Sequence, residues 1–172
     1  MKIVNPKDLN DNVFKLLDDK WALLAAYDKN KTEGLEYNAM TVSWGGMGVL
    51  WNKNVFFCFV RPQRYTKEFI DNSDKITLSF FGEDMKKALS YCGSHSGRDG
   101  DKLKQSGLSA RVEDDAVFFD RAELTVVGKK LFCANMKQED FLDKELIEKC
   151  YPNADYHAVY VCEIEKIVDC RV

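Results

Sequence analysis

Arg61, Arg64 and Thr66 stand at positions i, i+3 and i+5 of the segment RPQRYT. A guanidinium group grips phosphate through two parallel hydrogen bonds. Pro62 fixes its own φ and pushes Arg61 toward an extended conformation. Thr66 is a suitable N-cap for the run KEFIDN that follows it. A strand would then end in two guanidiniums and a hydroxyl, beside the free N–H groups of a helix start, which suits an anion. The same spacing equally fits two solvated surface cations.

The charge pattern upstream bears on this choice. The chain carries 28 acids in 172 residues, yet residues 37–67 contain no Asp or Glu and hold Lys53, Arg61, Arg64 and Lys67. Carboxylates kept out of one stretch of an acidic chain favour an anionic ligand there. The first half of that stretch, NAMTVSWGGMG, alternates small polar and apolar residues and then loses its side chains at Gly45, Gly46 and Gly48. Glycine lets another group approach the backbone closely. A flat aromatic ligand against Thr41, Ser43 and Trp44, with a phosphate at Arg61, Arg64 and Thr66, would use each of these features. An ordinary hairpin with a glycine bulge accounts for the glycines just as well.

Other reactive patterns are weaker. Cys92 and His95 have the spacing of half a metal site, but the only other histidine is His157, so a second half is missing. As a nucleophilic pair they would need to face each other from a glycine-rich loop. GGMG lacks the glycine spacing and following acid of a dinucleotide fingerprint. In CGSHSGRDGDK, Ser94, Ser96 and Arg98 are able to donate hydrogen bonds to a ligand. Equally, the loop is polar surface with Arg98 paired to Asp99 or Asp101.

The elements that must hold these residues follow from periodicity. Residues 8–19 read as a helix with Leu9, Val13, Leu16 and Leu17 on one side. WALLAAY, residues 21–27, reads as the first barrel strand, though its alanines and leucines also fit a helix. Residues 28–37 form a polar loop. Residues 40–44 and 49–51 are expected to make a hairpin around the glycines, and 55–60 a buried strand. A short helix over 67–72, a strand over 75–80 and a helix over 85–91 lead into the serine- and glycine-rich loop, and a helix-like turn follows at 103–106. Strands are predicted at 117–119 and 122–135, with Gly128 at a turn or bulge, then an amphipathic helix over 139–149 and a final strand over 158–168. Most large aromatics, Trp51 among them, belong to the core, and Trp44 is the exception because it abuts the glycines. Strands without a regular βαβ rhythm favour a closed β structure over a doubly wound sheet.

Bulk properties bound the rest. The length suits one domain over residues 1–172. Hydrophobic residues at 45% and charged residues at 31% describe a globular chain. A net charge of −3 argues against general nucleic-acid or membrane-surface binding. From the polar start MKIVNPKDLN no signal peptide is expected, and no apolar run is long enough to span a bilayer as a helix. Six cysteines without a CxxC pair read as reduced thiols, so a cytoplasmic location is expected.

NAMTVSWGG, RPQRYT and SGRDGDK, in that order and at these intervals, resemble the flavin reductase-like, FMN-binding split-barrel family that includes the flavoredoxins. The likeness runs from about Trp21 to the final strand. It implies a mainly β protein with short helices, built as a six-stranded split β-barrel, a homodimer, and FMN near the dimer interface. Carried onto this chain, it implies FMN contacts from Asn38, Met40, Thr41, Ser43 and Trp44 in the first motif. In the second it implies Arg61, Arg64, Tyr65 and Thr66, and around the third Ser94, Ser96, Gly97 and Arg98. The implied activity is transfer of reducing equivalents from NAD(P)H through FMN to an acceptor. The alternative is a flavoredoxin-type carrier reduced by a ferredoxin-like protein partner. A split-barrel binding protein without redox turnover is the third possibility.

Overall fold

The computed structural model describes residues 1–171. Its strands are β1 (Lys2–Val4), β2 (Ala22–Tyr27), β3 (Tyr37–Val42), β4 (Gly45–Leu50), β5 (Lys53–Val60), β6 (Lys75–Phe80), β7 (Ala110–Glu113), β8 (Ala116–Phe119), β9 (Leu124–Asn135) and β10 (Ala158–Asp169). The helices are α1 (Thr66–Asn72), α2 (Lys86–Ser94), α3 (Lys102–Gln105) and α4 (Glu145–Cys150). The main sheet runs β3-β2-β6-β9-β10-β5-β4, with β1 added on β10, and β7 and β8 form a separate ribbon. Eight strands thus make the sheet, two beyond the six implied by the resemblance.

The ends of this path are β3 and β4, which are consecutive in sequence. Only Ser43 and Trp44 lie between them, yet the two strands are not paired. The sheet therefore curls until its edges nearly meet and remains open along one seam, as a split barrel. This corrects the expected hairpin at residues 40–44 and 49–51. The glycines lie inside β4, which pairs with β5 in the register Gly45↔Cys58 to Leu50↔Lys53. The turn of that hairpin is Trp51–Asn52, with φ of 52° and 57°, the backbone of a two-residue type I′ turn whose twist matches that of the strands. Trp51 is accordingly 54% exposed and not a core residue.

The mixed signal in the β2 sequence has a structural cause. Leu24 and Ala26 face the barrel interior, where they meet Phe56, Phe69, Val126 and Ile167. Leu23 and Ala25 face outward into a second apolar layer, under Leu89 and Cys92 of α2 and Val117 and Phe119 of β8. A strand buried on both faces shows no polar alternation. Elsewhere local propensity yields to context. The expected helix over 8–19 is a turn at Pro6–Asp8 and a single wide helical segment at Lys15–Lys20. The expected helix over 139–149 is reduced to a turn at Gln138–Asp140 and α4.

Gly128 sits inside β9, next to a bulge where β10 inserts Glu165 between Ile164 and Lys166. A Cβ at Gly128 would lie 2.2 Å from Cε1 of Phe56, which is fully buried in the barrel. The glycine is there to admit that ring. No helix among the described residues is long and apolar enough to cross a membrane.

Candidate functional site

The seam between β3 and β4 opens at one end of the barrel, and the first two motifs meet there. Met40, Thr41, Ser43 and Trp44 come from β3 and the link after it, and Arg61 and Arg64 from the segment after β5. Together with Phe59 and His157 they wall a cavity of about 210 Å³. Trp44 is 48% exposed and lies with its ring 5.2 Å from that of His157. Thr41 donates to the carbonyl of Leu89 on α2, and Met40 is part of the barrel core.

Arg64 is the cation best placed for a ligand. It donates to the Gly93 carbonyl at 2.7 Å, which anchors it against the end of α2, and it lines the cavity. Burial lowers its pKa, which reflects the cost of keeping a charge partly away from water. Lys102 reaches the same helix end, donating to the carbonyls of Cys92 at 2.9 Å and His95 at 3.0 Å. Both cations satisfy carbonyls that the last turn of a helix leaves without partners. Burial first, and then the nearby Arg64, bring the Lys102 ammonium down to about 8.

Arg61 is committed elsewhere. Its guanidinium pairs with Asp155, donates to the Cys150 carbonyl at 2.9 Å and lies 5.2 Å from the ring centre of Tyr151. Thr66 is not the N-cap expected of it. Tyr65 holds that position, and Thr66 is the first residue of α1, buried, with its hydroxyl accepting from Asn38 Nδ2 at 3.3 Å. The helix starts one residue early because Tyr65 already has helical dihedrals. Arg61 and Arg64 thus wall one cavity, whereas the buried Thr66 is not part of its lining.

A second hollow draws on other residues of the three motifs. Asn38, Tyr65, Gly97, Arg98 and Lys102 line about 240 Å³. Gly97 lies on the Asn38 amide so closely that a Cβ would sit 2.9 Å from it. The Arg98 guanidinium lies 4.6 Å from the ring centre of Tyr65 and pairs with Glu68, not with Asp99 or Asp101. Ser94 is on α2, not in a loop, since the helix continues three residues past the expected end. Its hydroxyl bonds back to the carbonyls of Ser90 and Tyr91 and to His95 Nδ1. Ser96 accepts from the Arg98 backbone N–H at 3.2 Å. Cys92 is buried toward Ser106, whereas the His95 ring stacks on Tyr91 at 3.8 Å, so the two do not form a reactive pair. His157 and Phe59 are not among the residues the motifs single out: Phe59 reads as one aromatic of the 55–60 strand, and His157 precedes the final strand as an isolated histidine.

No family model matches the chain, and no curated protein does. Solved structures do. A flavoredoxin from Methanosarcina acetivorans superimposes with a TM-score of 0.65 at 20% identity, over 98% of this chain and 76% of that one. Flavoredoxin of Desulfovibrio vulgaris (Miyazaki F) gives 0.65 at 17%, over 87% and 69%. A split-barrel-domain protein of the flavin reductase type from Shewanella frigidimarina NCIMB 400 gives 0.66 at 15%, over 87% and 66%. At these identities the likeness establishes the fold: the chain is a split barrel of the kind seen in FMN-binding flavin reductase-like proteins and flavoredoxins. The donor set is consistent with a phosphorylated, flat ligand. Arg64 and the buried Lys102 are two cations close enough that Arg64 lowers the Lys102 pKa.

Proposed function

We propose that the chain binds FMN at the open end of the barrel and passes reducing equivalents from NAD(P)H through it to an acceptor. The observation that supports this most directly is the cavity in which Thr41, Ser43 and Trp44 meet Arg61, Arg64 and His157. FMN, when bound, supplies hydride and single-electron exchange. The chain's role is to hold it. In this reading Trp44 and the β3 backbone flank the ring, while Arg64, backed by Lys102, attracts the phosphate. Asn38, Tyr65, Thr66, Gly97 and Arg98 shape the adjoining hollow, with Ser94 and Ser96 securing the loop that closes it. Arg61 shapes the wall, since its own charge is largely spent on Asp155.

The deciding experiment is colour and titration. Purified protein is expected to be yellow or to bind added FMN, and a colourless protein that ignores FMN rejects the reading. Steady-state oxidation of NADH and NADPH then separates the two modes. Turnover above that of free flavin identifies a reductase. Slow reduction by either nucleotide with rapid reduction by a ferredoxin-like protein identifies a flavoredoxin-type carrier. The absence of a dinucleotide fingerprint favours keeping this second mode in view.

A homodimer belongs to the same proposal. Phe14, 85% exposed, stands with Val13, Leu17, Met47 and Phe57 along a groove of about 770 Å³ that shares Ser43 and Trp44 with the cavity. A second subunit seated there would cover apolar surface and the exposed Trp44 together.

A further inference from the structure

His157 is the polar residue of the cavity that no motif accounts for. It lies one residue before β10, and its ring packs against Trp44, Phe59 and Tyr151. The Tyr151 hydroxyl lies 2.8 Å from its Nδ1. That hydroxyl also lies 3.6 Å from Met136 Sδ, a much weaker acceptor than an imidazole nitrogen, so the stronger hydrogen bond is made when the Tyr151 proton points to Nδ1. A ring that accepts at Nδ1 and is neutral carries its own proton at Nε2. Nε2 has no partner among the described residues. The one fully buried side-chain polar atom without a partner among those residues is Asp155 Oδ1, so Nε2 is not fully buried. The open space against the ring is the cavity.

We propose that His157 is a ligand-binding residue: held at Nδ1 by Tyr151, it presents Nε2–H to a carbonyl oxygen or ring nitrogen on the polar edge of a flavin in the cavity. Tyr151 is the positioning residue, acting through His157. The inference rests on the FMN reading above. It divides the labour within the site, with a charged grip on the phosphate from Arg64 and a neutral donor for the ring. The groups around the imidazole keep it neutral. Arg61 and Arg64 line the cavity, and Asp155, which acts on the imidazole in the opposite sense to Arg61, is already paired to that arginine. Burial first, and then Arg61, bring the His157 pKa down to about 4. The donor is therefore a single-proton, neutral one throughout the physiological range.

Two measurements test this. Nitrogen-15 NMR of the apo protein is expected to show His157 as the Nε2–H tautomer, with that resonance shifting when riboflavin is added. An Nδ1–H tautomer, or a resonance that riboflavin leaves unmoved, overturns the proposal. Second, H157F keeps a ring against Trp44 but removes the donor. It is expected to weaken FMN and riboflavin alike, about fivefold each, with H157Q recovering some of the loss. Y151F is expected to weaken both less, and to add the Nδ1–H tautomer to the spectrum. Wild-type affinity in a folded H157F, for either ligand, overturns the inference while leaving the FMN reading intact. A wild-type protein that binds no flavin overturns both.

Discussion

Arg64 and Lys102 show how a cation serves a fold and a ligand at once. Each satisfies a carbonyl at the end of α2, while Arg64 also lines the cavity and Lys102 the second hollow. Arg64→Ala should lower apo stability through the lost Gly93 contact, so stability alone says little about binding. The informative quantity is the ratio of FMN to riboflavin affinity by titration. A charge-assisted bond contributes about 1.5–3 kcal/mol, which predicts a fall in that ratio of about tenfold to a hundredfold. Lys53→Ala is the control, because Lys53, at the β4–β5 hairpin, pairs with Glu163 of β10 and the ratio should not move. Arg61→Ala should reduce thermal stability with a smaller effect on the ratio, since its guanidinium is already occupied. The Lys102 ammonium adds a pH dependence. With its pKa near 8 it is charged below that pH and neutral above it. FMN affinity should fall as pH rises through about 8, and riboflavin affinity should stay flat. Lys102→Met should remove the difference between the two profiles. The sign for the apo protein is opposite. An unfolded lysine keeps its proton up to its ordinary range, so stability rises with pH between about 8 and that range.

Two contacts between elements are equally exposed to test. Asn38 of β3 and Thr66 of α1 are both buried and joined by one hydrogen bond, which ties the helix to the sheet edge beside the second hollow. Thr66→Val keeps the volume and removes the acceptor. An unpaired buried amide costs about 1–3 kcal/mol, readable as a lower urea midpoint, and Thr66→Ser should restore most of it. Because Thr66 is not an N-cap, Thr66→Val should not fray α1 by hydrogen exchange. Gly128 carries the packing of β9 against the Phe56 ring of β5. An alanine Cβ 2.2 Å from that ring forces it out of place. Overpacking of this kind costs about 1–3 kcal/mol, and Gly128→Ala should show it in urea unfolding, with Phe56→Leu relieving some of the loss in the double variant.

The seam of the barrel sets the behaviour of the assembly. β3 and β4 present unpaired edges on either side of Ser43 and Trp44, and unpaired edges invite another chain unless they are covered. The large apolar groove along β4 adjoins the same residues. The proposed dimer should sediment as such at micromolar concentration with FMN present, and a monomer there rejects it. Phe14→Glu, which places a charge on the groove without touching the barrel core, should shift the equilibrium toward monomer. If the second subunit covers Trp44, the same variant should also red-shift its fluorescence toward that of a wet indole.

Residue order alone determined much of this protein. Apolar runs and alternation located β5, β6, β9 and β10, and the three motifs led to the split-barrel reading that the solved structures bear out. The charge gap over residues 37–67 marked the end of the barrel where Arg64 lines a cavity. What sequence could not decide were the partnerships. Strand pairing is non-local, so nothing near Gly45 and Gly46 tells that β4 pairs forward with β5 and leaves β3 unpaired on that side. Asp155 lies 94 residues from Arg61, and only the folded chain brings it close enough to take that arginine's charge. His157 reads as an isolated histidine until the approach to β10 carries it against Trp44 and Tyr151. Periodicity reports which face of an element avoids water; it carries no information about which distant group will meet that face.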